Sequence, residues 1–189
     1  MEMKKIGLLF LICLMSLTIQ AQVEHFKFMG IPIDGKISVF EKQLKKKGFA
    51  SDVRFKMLPK EYFSTTRIYK GSFANEDDVS LVVNFDKNTK IVYSVNVIIE
   101  CYSQNNMIKK YDEYESMYRE KFTDSMFKDL QTERKTGISI GVPYMDQELC
   151  GFIFLAKDVE PGTEKCSVTI EYIDRYNFEN KSSNSLNDL

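Results

Sequence analysis

Two runs of alternating apolar residues, separated by a short polar stretch, constrain this chain more than any other feature. Leu81, Val83 and Phe85 alternate with Val82, Asn84 and Asp86. After Asp86-Lys87-Asn88-Thr89-Lys90, the run from Ile91 to Tyr102 places Tyr93, Val95, Val97, Ile99 and Cys101 on one side, and Ser94, Asn96 and Glu100 on the other. A period of two belongs to strands with unlike faces, and the polar stretch between the runs has the chemistry of a hairpin loop. The pair therefore predicts an antiparallel sheet with one buried face.

The flanking sequence supplies more strands and the helices to cover them. Thr66 to Phe73 reads as a strand, closed by an acidic turn at Asn75-Glu76-Asp77-Asp78. From about Asn106 the period lengthens: Met107, Tyr111, Tyr114, Tyr118 and Phe122 recur at spacings of three and four, an apolar helical stripe, with Glu115 and Arg119 forming an i,i+4 pair elsewhere on the helix. Strands resume at Lys135 to Val142, Cys150 to Lys157 and Cys166 to Ile173, with Pro161-Gly162 marking a tip between the last two. An earlier, shorter helix is read from Ser38 to Lys47. Ser38 and Glu41 spell a capping box, three lysines crowd its negative end, Gly48 supplies a left-handed stop, and Phe49 can fold back onto Leu44. The succession is helix, three strands, helix, three strands. The expected class is α+β, an antiparallel sheet with two helices on one face, arranged as two tandem αβββ units.

The ends define the organisation. Lys4 and Lys5 precede the uncharged apolar stretch Ile6 to Ile19, and Ala21 offers a small residue before Gln22. This is the pattern of a secretory signal peptide over 1–21, cut after Ala21, so a periplasmic or secreted location is expected. The stretch is short for a membrane span, although an uncleaved anchor stays open. Cys13 lies inside the apolar run rather than after a small residue, which argues against a lipid anchor. Residues 22–178 suit a single α+β domain, and the polar, aromatic-free 179–189 reads as a disordered tail. The near-neutral charge gives no surface for nucleic acid.

The segment His25-Phe26-Lys27-Phe28-Met29-Gly30-Ile31-Pro32-Ile33-Asp34-Gly35, followed by a helix ending Lys47-Gly48-Phe49, resembles a group of small exported bacterial proteins of uncharacterised function. Lys70-Gly71-Ser72-Phe73-Ala74 and the hairpin from Val79 to Glu100 fit that group too. The αβββ succession is more distantly similar to the beta-lactamase inhibitor protein and to outer-membrane assembly lipoproteins, which implies protein binding without catalysis. No motif matches, so no residue role is carried over.

Candidate chemistry is sparse. Gly30, Gly35 and Lys36 approach a phosphate-binding loop, but Ile37 stands where a magnesium-binding hydroxyl is needed, and Pro32 removes a donor. His25 is the only histidine, and catalytic triads and common zinc sites require partners placed around one. Asn75 to Asp78 lacks the ligand spacing of a calcium loop and reads as a solvated turn. Cys101, Cys150 and Cys166 read as thiols in strands. Their odd number leaves at least one unpaired, and which two, if any, form a disulfide stays open. The stripe Tyr111, Tyr114, Tyr118 reads first as core and second as a binding surface with polar tips. The expectation is an exported, non-catalytic module, without metal or cofactor, that binds a protein or envelope component as monomer or homodimer. The competing class is a small periplasmic hydrolase using carboxylates or a free cysteine.

Overall fold

The protein is seen in a computed structural model that describes residues 25–53, 55, 58–59, 61–132, 135–143, 148–160, 162–163 and 165–186. Residues 1–21, expected to form a signal peptide, lie outside the described residues, as does Pro161. The chain opens with a small hairpin, β1 (Lys27–Phe28) against β2 (Ile31–Pro32). Its tip turns through Met29 and Gly30, both at positive φ (49° and 79°), so the phosphate-loop lookalike is a two-residue reversal.

Helix α1 (Ile37–Lys46) follows, then β3 (Ala50–Ser51), β4 (Thr66–Phe73), β5 (Glu76–Phe85) and β6 (Val92–Cys101). Helix α2 (Gln104–Lys121) leads into β7 (Phe127–Gln131), β8 (Lys135–Pro143), β9 (Leu149–Val159) and β10 (Cys166–Asp174), and α3 (Arg175–Leu186) closes the described chain. β3 to β10 form one eight-stranded sheet in the order β3-β4-β5-β6-β10-β9-β8-β7, antiparallel throughout. The order reads symmetrically outward from the central β6–β10 pair, each half being one helix followed by a meander.

The alternation seen in the sequence decides which face is buried. Leu81, Val83, Val95, Val97, Ile99, Val168, Ile170, Ile153, Leu155, Ile138 and Ile140 point to one side and join a single core with Phe40 and Leu44 of α1 and Met107, Tyr111, Tyr114 and Tyr118 of α2. Both helices thus cover the same face. Burying so many branched aliphatic side chains contributes roughly 1.5–3 kcal/mol each, an upper bound because unfolded chains already hide some surface.

The structure departs from the sequence reading in four places. The N-cap of α1 is Lys36, not Ser38, and no side chain caps it. A backbone bond replaces the capping box: Lys36 bridges Ile91, and the Ile37 amide donates to the Lys90 carbonyl at 2.8 Å. Glu41, freed from that role, pairs with Lys45 at 3.1 Å. Each half has four strands rather than three, because β3 is only two residues long and β7, Phe-Lys-Asp-Leu-Gln, shows no apolar alternation. The acidic turn begins earlier, at Ala74-Asn75, so Glu76 to Asp78 lie in β5.

The fourth difference is the tail expected over 179–189, which is helical as far as Leu186, with 187–189 outside the described residues. Asp174 caps α3 by accepting from the Asn177 amide at 2.8 Å, Arg175 pairs with Glu179 at 2.6 Å, and the Lys181 ammonium sits 4.4 Å from the Tyr93 ring centroid. Composition hid the helix, which is held by these local contacts and by tertiary ones, the Lys181–Tyr93 contact and the bonds that the Asn177 side chain donates to the Ile33 and Val92 carbonyls.

Other local expectations hold. Gly48 adopts φ +91°, and Phe49 is buried with its amide on the Leu44 carbonyl at 3.1 Å. The Asp86 carboxylate closes the β5–β6 loop by accepting from the Asn88 and Thr89 amides at 2.9 and 2.7 Å. These bonds, opposed by partial burial, hold its pKa below the ordinary value.

Candidate functional site

Helix α2 starts where Ser103 accepts a bond from the Asn106 amide at 3.2 Å, an N-cap that fixes the rotation of the whole helix. That rotation turns Tyr111, Tyr114 and Tyr118 onto the sheet, with exposures of 4, 6 and 9 %. Tyr114 stacks on Phe73 at 6.2 Å, and the Lys157 ammonium lies 4.2 Å from the Tyr111 ring centroid. Burial raises the pKa of all three phenols, so they stay neutral at physiological pH. The stripe is core packing, and as placed it offers no surface to a partner.

The Tyr118 hydroxyl meets the Tyr172 hydroxyl at 2.7 Å inside this core. Replacing Tyr118 with Phe is expected to cost about 1–2 kcal/mol, since it strands a buried hydroxyl. The double change Tyr118→Phe with Tyr172→Phe should cost less than the sum of the two single changes. Urea unfolding of the four proteins checks this, and strict additivity would refute the pairing.

The lone histidine is also structural. His25 Nδ1 lies 3.1 Å from Asp174 Oδ2, and its ring meets Tyr176 edge-on at 5.6 Å. Asp174 is fully buried and also accepts from the Phe26 amide at 2.8 Å. The cluster fastens the N-terminal hairpin to the start of α3.

Among the described residues, two cysteines and several charged side chains converge at a cleft of about 530 Å³ where β6 ends and β9 turns into β10. Ile98, Glu100 and Cys101 line one wall, and Asp158, Glu160, Lys165, Cys166 and Ser167 complete it. Cys101 and Cys166 stand directly opposite in the β6–β10 register, with the Cys166 thiol 3.6 Å from the Cys101 carbonyl oxygen. Burial raises the pKa of the Cys101 thiol, with smaller opposing contributions that include the Lys110 ammonium, which is ion-paired with Glu76. His25 cannot serve as its base. It is bound to Asp174, the last residue of β10, whereas Cys166 is the first, and a strand of this length spans about 25 Å. Among the described residues no three His, Cys, Asp or Glu side chains are grouped to hold a metal ion.

The sequence alternation singled out Cys101 as an inward strand residue but could not bring it to Cys166. That meeting depends on which strands pair across the two halves, and no local signal encodes it.

The opposite face of the sheet carries neither α1 nor α2. The register lines up Ile68, Val82, Asn96, Glu171, Phe154 and Ser139 across six strands. Phe152 and Phe154 lie with ring centroids 6.2 Å apart, Phe152 directly opposite Ile173 of β10, and Ile98 lies on β6 beyond that strand. None of these residues belongs to the core, and all but the buried Ile68 are half-buried, which makes the face a mixture of apolar patches and short polar side chains. No helix among the described residues is long and apolar enough to cross a membrane. No family model, curated protein or solved structure matches the chain.

Proposed function

We propose that this protein is an exported, non-catalytic module that binds a protein or another envelope component through the face of its sheet opposite α1 and α2. The observation that carries the reading is the row Val82, Asn96, Glu171 and Phe154, flanked by Phe152, Ile98 and Ile173. A face that combines aromatic anchors with short hydrogen-bonding side chains has the composition of an interaction surface. The apolar N-terminal segment with its small-residue boundary supports export. The resemblance of the helix-and-meander succession to the beta-lactamase inhibitor protein points the same way. The hydrolase reading has less support, since the cysteine cleft lacks an imidazole and burial raises the pKa of the Cys101 thiol.

The test places p-benzoylphenylalanine at Phe154 and, separately, at the exposed Glu113 on α2, followed by irradiation of intact cells. A discrete adduct from position 154 alone, lost when Glu171→Arg is added, is the expected result. Equal labelling from both positions, or none from 154, would overturn the proposal.

A further inference from the structure

The two cysteines at the cleft differ in a way that suggests a division of labour. Both side chains turn to the core face of the sheet, where Cys101 is half-buried at the rim and Cys166 is 5 % exposed within the core. Directly opposed residues of antiparallel strands have Cα atoms about 4.5–5.5 Å apart, inside the range a disulfide tolerates. Cβ atoms of such opposed residues are about 4.5–5.5 Å apart, against about 3.5–4.5 Å in a disulfide, so closing the bond needs a small approach of β6 and β10. Cys150, by contrast, is far along β9 from the cleft, about 30 Å at the rise of a strand, with its thiol on the Val142 carbonyl at 3.3 Å.

We propose that Cys101 and Cys166 form a reversible thiol–disulfide pair that is oxidised by low-molecular-weight disulfides, with Cys101 as the thiol they reach first. The sequence of bonds is set by access. The Cys101 thiolate attacks a sulfur of the incoming disulfide, forming a mixed disulfide and releasing one small thiolate. Cys166 then gives its proton to solvent, and its sulfur attacks Cys101 Sγ, expelling the second small thiol. The two protein thiols lose two electrons, and the small disulfide gains them as two thiols. The raised pKa of Cys101 makes the first step faster as pH climbs.

The experiment uses the full chain with Cys13→Ser and Cys150→Ser, which keeps only the two cysteines in question. Incubation with excess cystamine, acid quenching and non-reducing peptide mapping should give a Cys101–Cys166 cross-link with loss of two hydrogen atoms, reversed by dithiothreitol. With Cys166→Ser added, the product should stop at one cysteamine adduct on Cys101. With Cys101→Ser added instead, the rate should fall at least tenfold, because Cys166 is not reachable in the folded state. Three results would each refute the pair: stable cysteamine on both cysteines without a cross-link, dimers joined between chains as the only disulfide product, or reaction only in denaturant.

Discussion

Gly137→Ala is expected to lower the unfolding free energy by about 3 kcal/mol, measured by urea denaturation. Gly137 lies in β8 opposite Ala156 of β9. A Cβ built there would come 2.0 Å from the Leu155 carbonyl oxygen and 2.7 Å from the Ala156 Cα. Both atoms are backbone, so no rotamer change can relieve the overlap, and β8 must separate from β9 at a point where the ladder is continuous. Gly71 offers the contrast. Its Cβ would meet the Phe49 ring at 2.5 Å, a side chain that can shift, so Gly71→Ala should cost less. Equal stability of Gly137→Ala and the native protein would mean that the two strands are spaced differently.

Asp174→Ala should be comparably damaging, again about 3 kcal/mol, because one buried carboxylate serves two separate segments. It accepts from the Phe26 amide in the N-terminal segment and from the Asn177 amide in the first turn of α3, each at 2.8 Å. Without it both amides lose their acceptor. Asp174→Asn, which keeps one acceptor oxygen, should recover part of the loss.

The pH dependence has a definite sign. Burial raises the pKa of the Asp174 carboxyl above its ordinary value of 3.8, outweighing the Asn177 and Phe26 amides and His25. As pH rises past that ordinary value the unfolded chain gives up this proton first. The contribution of the group is therefore fully present below pH 3.8 and falls as pH rises through the folded-state value. The stability advantage of the native chain over Asp174→Asn should shrink as pH is raised from about 3 to 7 in parallel thermal melts. An advantage that grows over that range would show that the hydrogen bonds outweigh the burial.

Local chemistry was legible wherever neighbours in sequence are also neighbours in space. The β5–β6 hairpin could be read because its residues alternate and Asp86 closes its own loop. The tyrosine stripe could be read because helical period and burial coincide at Tyr111, Tyr114 and Tyr118. The Glu115–Arg119 pair forms at 2.7 Å because spacing alone brings the two together on a helix. The capping box at Ser38 failed for the opposite reason. A backbone partner from distant Lys90 satisfied the first helical amide before any side chain was needed.

The sequence by itself therefore determined the α+β class, the antiparallel sheet, and the single inward face that two helices cover. Periodicity sets these, and a one-residue slip would turn every buried side chain outward. The tertiary structure alone decided that β6 and β10 meet at the centre, that Cys101 faces Cys166, and that Asp174 clasps His25, Phe26 and Asn177. It also made a helix of the polar residues after Asp174. Apart from the Asp174–Asn177 cap, those contacts join residues tens of positions apart. Their free energy comes from closing the whole sheet at once, which no short stretch of sequence carries.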